Sequence, residues 1–315
     1  MARALVLGVN GQDGSYLSQA LLSRGYDVVG IGRDATSRYV SGEPRFTYIM
    51  HDLRASDSLV ELISQIEPQE VYHFAAIHGA IDAGFTYEVH WRDMMRVNVL
   101  TLHVLLEHAR TKSPDMRLIY AGSSKIFPAP YTGDIDETTP TRATCLYGIG
   151  KLASRDLLFQ YRKDHGIDCT NLILFNHDSA RRPSQFFLPT MARAIAGARR
   201  DNRYQVKIQT LDFRVDWSAA DELMDIVAAL GHIPGVPNLV MASGTTVHAR
   251  PFVRELFARY GLDARRHIIE ELAPRDPGPE FRVRIDQLAK ITGRRPSKTA
   301  FDIVDDILAN GAPAA

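Results

Sequence analysis

Cysteine is scarce: Cys145 and Cys169 are the only two in 315 residues. No disulfide framework can staple this chain, and neither cysteine has a partner at metal-ligand spacing. A reducing, cytoplasmic setting is the expectation. Charge of one sign is also missing, since 37 Lys plus Arg face 37 Asp plus Glu. That balance gives no field for nucleic acid or an anionic membrane surface, so the expected partner is a small molecule. Apolar runs long enough to span a bilayer do not occur, and Met1 leads straight into a glycine motif rather than into a leader with a small-residue cleavage site. The protein is expected to be soluble and not exported. Histidine pairs on one helix face are absent: His73, His78, His90 and His177 fall on different predicted elements, so no metal is expected. Repeats and low-complexity stretches are lacking, and only the final GAPAA reads as frayed.

What remains is ordinary globular material, 45% apolar and 23% charged, enough for a large core with a smaller lobe packed on it. In the first half, short β-branched runs alternate with longer amphipathic stretches: ALVLG, LSQALLSRG, DVVGI, FTYIM, LVELISQI, EVYHFAA, VNVLTLHVLLEHAR and MRLIYAG. This alternation predicts an α/β fold, a Rossmann-type doubly wound parallel sheet covered on both faces. A helix over 147–165 and the strand CTNLILF follow. Beyond Asn176 come Pro- and Arg-containing loops with shorter helices. The expected division is a nucleotide-binding domain over 1–175 and a smaller C-terminal α/β substrate lobe over 176–315, with some segments interleaving. Arginine doublets at 181–182, 199–200, 265–266 and 294–295 read as solvated faces.

Directly after the first strand stands Gly8-Val9-Asn10-Gly11-Gln12-Asp13-Gly14, a GxxGxxG that opens a helix. Glycines there permit a tight turn and let the backbone approach a pyrophosphate, whose charge the helix N-terminus favours. With NAD, the second strand should end in an acid on the ribose hydroxyls. That place is Gly32, followed by Arg33, which makes room for a 2′-phosphate and pairs with it, so NADP is favoured. Asp34 keeps NAD open. After the third strand, Asp52 either accepts from the adenine amino group or caps the next helix. Leu53, Ala75 and Ala76 complete the expected cofactor wall.

Tyr147 and Lys151, four residues apart, share one face of a predicted helix. An ammonium and an oxidised nicotinamide both favour phenolate, which makes Tyr147 a candidate acid–base, with Ser123 at a strand end hydrogen-bonding the same substrate oxygen. A glycine loop, an SS at a strand end and YxxxK, in that order, resemble the extended short-chain dehydrogenase/reductase family of nucleotide-sugar enzymes. GVNGQDGSYL at 8–17, LIYAGSS at 118–124, YGIGK at 147–151, LFNHDSARR at 174–182 and VDWSAADEL at 215–223 are most similar to its GDP-mannose 4,6-dehydratase branch. The resemblance implies hydride transfer between a sugar C4 and the cofactor. It puts Ser123, Tyr147 and Lys151 in the catalytic roles, Lys151 also holding the nicotinamide ribose, and Asn176 near the substrate diphosphate. Ser124 and Arg182 join Asn176 as substrate-side candidates, and His177, beside Asp178, reads first as a hydrogen-bonded structural residue and second as a further acid on the substrate side.

This chain departs from that pattern. Two residues after the catalytic Ser/Thr the dehydratases carry a glutamate that takes the C5 proton and helps water leave C6; here stands Lys125. GSSKIFP also resembles GDP-fucose synthase, an epimerase and reductase with an acid–base residue at this place. Lys125 is therefore either a proton-transfer or binding group near C5 and C6, or a surface lysine paired with Asp136 or Glu137. In the base-recognition region, PTM at 189–191 replaces RKI and Val215 replaces the arginine of RDWG, with Arg214 adjacent. Arg275 and Glu280 resemble the late Arg and Glu at altered spacing. Phe213 and Trp217 are expected to pack the lobe interface, and two long helices, around 92–110 and 147–165, to pair a homodimer or homotetramer. Four readings stay open: a C4 oxidoreductase on an NDP-hexose or heptose, a dehydratase using Lys125, a 4-ketosugar reductase or epimerase, and an NADP sensor without chemistry.

Overall fold

The computed structural model describes residues 2–78 and 86–310. In chain order it forms β1 (Arg3–Leu7), α1 (Gln12–Ser23), β2 (Asp27–Gly32), β3 (Phe46–Met50), α2 (Ser56–Ile66), β4 (Glu70–His73), α3 (Tyr87–Met95), a π-helical turn (Arg96–Leu100), α4 (Thr101–Thr111), β5 (Arg117–Ala121), β6 (Gly133–Ile135), α5 (Leu146–His165), β7 (Cys169–Leu174) and β8 (Asn176–Asp178). The second half adds α6 (Phe187–Ala198), β9 (Val206–Ile208), β10 (Arg214–Ala219), α7 (Ala220–Leu230), β11 (Asn238–Met241), β12 (Thr246–His248), α8 (Ala249–Arg259), α9 (Ala264–His267), β13 (Ile268–Glu270), β14 (Phe281–Val283), α10 (Asp286–Thr292) and α11 (Ala300–Ala309). None of the helices described is long and apolar enough to cross a membrane.

Seven strands form one parallel sheet in the order β11-β7-β5-β4-β1-β2-β3. Strands β4, β5 and β7 are buried along their whole length. Helices cover both faces, so those strands read as unbroken apolar runs rather than as alternating ones. Strand order reverses between β1 and β4, and the crevice above the carboxyl ends there is where doubly wound sheets take dinucleotides.

The chain does not leave this first core at residue 175. Leu223 to Leu230 of α7, Leu239 to Ala242 at β11, and Ile285 and Leu288 by α10 return to the core that holds Val6, Leu17 and Ile119, and β11 extends the sheet on β7. The lobe core comes from α6, β10, α8 and α11, with Leu188, Ile195, Trp217, Phe252 and Ile303 at its centre. A capping box between Thr299 and Asp302 starts α11. Trp217 and Phe213 pack inside this lobe core, Trp217 stacked on Phe187 at 5.3 Å between centroids.

The helix expected over 92–110 is interrupted by the π-helical turn at Arg96–Leu100. The looser turn directs Asn98 inward, where its amide donates to and accepts from the backbone of Ile77, both at 2.9 Å. Such turns recur at functional sites, and this one fixes the chain just after β4.

Candidate active site

A cavity of about 280 Å³ opens over the β1–β4 crevice, lined by the glycine loop, by Gly32 to Asp34 and Arg38, by His51 to Arg54 and by Phe74 to Ile77. Gly8 has φ +89°, and a Cβ there would come within 2.7 Å of the Ala75 backbone. A Cβ on Gly14 would stand 2.3 Å from the Gly8 carbonyl oxygen. The two glycines thus let α1 start directly on the β1 turn, and Gly11, as N-cap, places no side chain over its free N–H groups. An anionic, flat-ended dinucleotide fits: a cradle that a Cβ would fill, a helix N-terminus for the pyrophosphate, and a buried His51 Nε2 without a protein partner at the wall.

Asn10, expected at the cofactor, organises the ribose end. Its Nδ2 donates to Asp34 at 2.8 Å and to the Thr36 carbonyl at 3.0 Å, while its Oδ1 accepts from Arg38 N. Asp34 also ion-pairs with Arg38 at 2.7 Å. Asp52 does not cap α2, whose N-cap is Ala55. The Arg54 guanidinium and backbone N–H hold its carboxylate instead, at about 2.

At the carboxyl end of β5 the expected chemical group assembles. Ser123 hydrogen-bonds Tyr147 and also accepts from Lys125 N at 3.2 Å. Burial pushes the Tyr147 phenol up, partly offset by Ser123 and by the charge of Arg182. Lys151 is buried; its Nζ donates to the Ala121 carbonyl at 2.6 Å and to Tyr120 Oη at 3.1 Å, and lies 5.7 Å from the Tyr147 ring centroid. Burial drives this lysine down to about 7, against the opposing charge of Asp13. An oxygen placed between Ser123 and Tyr147 could exchange a proton there.

Lys125 is exposed on a short 3₁₀ turn at 124–126. Among the described residues no carboxylate meets its ammonium. Asp136 is engaged by Thr138 and Thr139, and Glu137 accepts from Val240 N. The surface pairing entertained above is not formed among the described residues, since Asp136 is taken up within its own turn and Glu137 by Val240 N of β11. Ser124 is buried, its carbonyl accepting from Tyr131 Oη.

Asn176 is exposed at the head of β8. His177 is not free to meet a substrate: Nε2 faces both Asp13 oxygens at 3.0 Å and Nδ1 faces the Phe175 carbonyl at 2.7 Å. Asp13 is likewise turned to His177, and the Gln12 side chain to Asp13, His177 O and Ser179. For these two residues the backbone N–H groups, not the side chains, remain for a cofactor. Arg182 ion-pairs with Asp178 at 3.1 Å and lies on the Phe186 ring at 3.7 Å. Arg214 meets Glu280 at 3.2 Å and the Gly278 carbonyl at 3.3 Å, while Arg275 donates its backbone N–H to Asp212. Those three line one rim of the lobe.

The sequence reading missed four contributors. Arg38 joins Arg33 at the ribose end. His78 presents its ring edge-on to Tyr147 and Phe186 at 6.4 and 5.7 Å between centroids. Asn98 was hidden by the assumption of a regular helix. Arg181, read as a solvated face, is instead held between the Tyr16 and Tyr39 rings and hydrogen-bonded to Ser15 and Gln19. Aromatics 142 and 165 residues away in sequence could not have signalled that.

Comparison with known proteins adds a family. The GDP-mannose 4,6 dehydratase family matches residues 5–295. GDP-mannose 4,6 dehydratase 2 of Caenorhabditis elegans is 29% identical over 271 residues, covering 82% of this chain and 70% of its own. GDP-mannose 4,6-dehydratase of Yersinia enterocolitica is 28% identical over 276 residues, covering 84% and 73%. Among solved structures, the Bordetella bronchiseptica enzyme WbmH in complex with NAD+ superposes with a TM-score of 0.77 at 21% identity, covering 98% of both chains. RMD from Pseudomonas aeruginosa complexed with NADPH gives 0.75 at 20%, covering 98% of this chain and 99% of that one.

Proposed function

Because this chain belongs to the GDP-mannose 4,6-dehydratase family of nucleotide-sugar short-chain dehydrogenases/reductases, we propose that it interconverts alcohol and ketone at C4 of a GDP-linked hexose with NADP, without eliminating water. The observation that carries this reading is the setting of Lys125. Ser123, Tyr147 and Lys151 are complete, whereas the side chain two residues after Ser123 is an ammonium with no carboxylate partner among the described residues. Water loss across C5 and C6 needs a group that takes the C5 proton and helps the C6 hydroxyl leave as water. A lysine ammonium is a hydrogen-bond donor with no lone pair to accept that proton.

Nicotinamide bound over the strand ends would supply or take up the hydride at C4. Tyr147 gives its phenolic proton to the C4 oxygen as the ketone becomes an alcohol and recovers it in reverse. Ser123 orients that oxygen. Lys151 holds the nicotinamide ribose and, as a cation, eases proton movement at Tyr147. Lys125 donates to an oxygen substituent near C6. Asn176 and Arg182 take the diphosphate of the sugar nucleotide, and Arg214, Arg275 and Glu280 its ribose and base. Arg33 and Arg38 take a 2′-phosphate. The exposed Lys125 and the intact proton-exchange group weigh against a sensor, which needs neither.

The test is mass spectrometry of the purified protein with GDP-mannose and with its 4-keto counterpart that keeps the C6 hydroxyl. The expected result is no product lighter by one water, with NADPH consumed on the keto sugar. Formation of the dehydrated product at a comparable rate would restore the dehydratase reading.

We also assign a cytoplasmic setting, in keeping with the two free thiols of Cys145 and Cys169, and a homodimer. Val89, Leu100, Ile149 and Phe159 are exposed by 46 to 70% on α3, the π-helical turn and α5. Exposed apolar side chains on elements that pack against one another make a self-association surface. Phe159→Glu is expected to convert the dimer to a monomer in analytical ultracentrifugation; a wild-type monomer would refute the assignment.

A further inference from the structure

The fold brings Asp13, at the start of α1, against His177 of β8, 164 positions later. Both imidazole nitrogens face acceptors: Nε2 the two Asp13 oxygens at 3.0 Å and Nδ1 the Phe175 carbonyl oxygen at 2.7 Å. A neutral ring has a single N–H, so only the doubly protonated ring satisfies both sides. Asp13 also accepts from Gln12 Nε2 at 3.0 Å, as a carboxylate would. The pair is therefore an imidazolium on a carboxylate, with His177 buried and Asp13 partly buried. Burial opposes both charges, but each partner outweighs it, holding Asp13 at about 2 and His177 above its ordinary range.

The other groups facing this pair are few. Gln12 approaches from α1, Ser179, Asp178 and Arg182 from the end of β8 and the loop after it, and Tyr147 and Lys151 from α5. Asp178 is ion-paired with Arg182. Lys151 donates only to a carbonyl and a phenol and has no carboxylate in contact among the described residues. Asp13 is the charge that works against its desolvation.

We propose that Asp13 and His177 are positioning residues for the substrate side of the site: the imidazolium pins β8, with Asn176, and the loop after it, with Arg182, to the first turn of α1. This rests on the proposed roles of Asn176 and Arg182 at the sugar nucleotide. It also explains how a carboxylate sits at a helix end that must take a pyrophosphate, since His177 cancels its charge.

Two measurements test it. In the cofactor-free full chain with ring-¹⁵N histidine, the resonance lost in His177→Gln is expected to remain doubly protonated well above the ordinary histidine value of about 6.5. In Asp13→Asn it should deprotonate at or below that value. A neutral wild-type His177 at pH 7 would overturn the proposal whatever reaction the enzyme performs, and this arm stands even if no sugar is turned over. Second, in NADPH-dependent reduction both His177→Gln and Asp13→Asn are expected to raise KM for the sugar nucleotide about tenfold while kcat changes by only about two- to threefold. A drop in kcat with KM unmoved would show a merely structural role and overturn the proposal. If one variant does not fold, the other gives KM; if neither does, the state of His177 in the wild type decides.

Discussion

Tyr147→Phe is expected to lower kcat for ketone reduction by about 10²- to 10⁴-fold, the usual contribution of one positioned general acid–base group. KM for the sugar should change little, since Ser123 still orients the oxygen. The pH dependence follows from the two shifts in the centre. Reduction requires Tyr147 protonated, and burial pushes its phenol up, so it stays protonated throughout the neutral range. Lys151 is driven the other way by burial, to about 7. The rate of reduction should therefore be flat on the acid side and fall as pH rises through the lysine's value, when the cation beside Tyr147 is lost. Stopped-flow NADPH absorbance on both proteins measures this. A loss below tenfold for Tyr147→Phe would remove it from the proton path.

The cluster of Ser123, Tyr147 and Lys151 was legible because it lies on or beside regular structure. Tyr147 and Lys151 share a helix face by spacing alone, Ser123 stands two residues past the end of a strand, and the glycine loop follows another. The Asp13–His177 pair was half legible: His177 reads first as a hydrogen-bonded structural residue, which its two engaged ring nitrogens match, but the partner its sequence suggests is the adjacent Asp178, while Asp13 reads as a cofactor contact. Asn98 was invisible for a different reason. A π-helical turn preserves the apolar periodicity on both sides while shifting one residue inward, so the sequence reads as one long helix. Arg181 shows a third limit, because its environment is two tyrosines contributed by α1 and by the loop after β2. The lobe was the least legible part, because three separate segments build its core and the stretch between two of them returns to the first sheet.

Lys125 illustrates how structure narrows a choice that composition cannot. An exposed lysine is by default a solvated charge of small energetic consequence, and a surface ion pair was the bland account of this one. With Asp136 and Glu137 both committed to backbone and hydroxyl donors, that account fails. Its backbone is fixed from two sides, by Ser123 Oγ on its N–H and by Gly148, where a Cβ would approach the Lys125 carbonyl oxygen to 2.3 Å. The side chain thus starts from a backbone position fixed beside Ser123 and the first turn of α5.

Arg33→Ala combined with Arg38→Ala is expected to weaken NADPH binding by about 10²- to 10⁴-fold, at roughly 1.5–3 kcal/mol for each charge-assisted hydrogen bond, while NADH binding changes by only a few-fold. An acid at Gly32 would require the Tyr48 and Asn10 side chains to move, because a Cβ there would come within 2.8 Å of Tyr48 Oη and 3.2 Å of Asn10 Nδ2. Asp34 comes next in sequence, but Asn10 and Arg38 hold its carboxylate, and these contacts lower its pKa, first through Arg38 and then through Asn10. That carboxylate is therefore committed before a ribose arrives. Arg33 lines the same cavity and has no ion-pair partner among the described residues, which leaves its guanidinium for a phosphate. The contacts are at an open rim, so the NADPH preference should also shrink as ionic strength rises. Fluorescence titration of both cofactors against both proteins measures the ratio. Equal wild-type affinities, or a parallel loss of both cofactors in the double variant, would mean that Asp34 releases Arg38 and accepts the ribose hydroxyls, making NAD the cofactor.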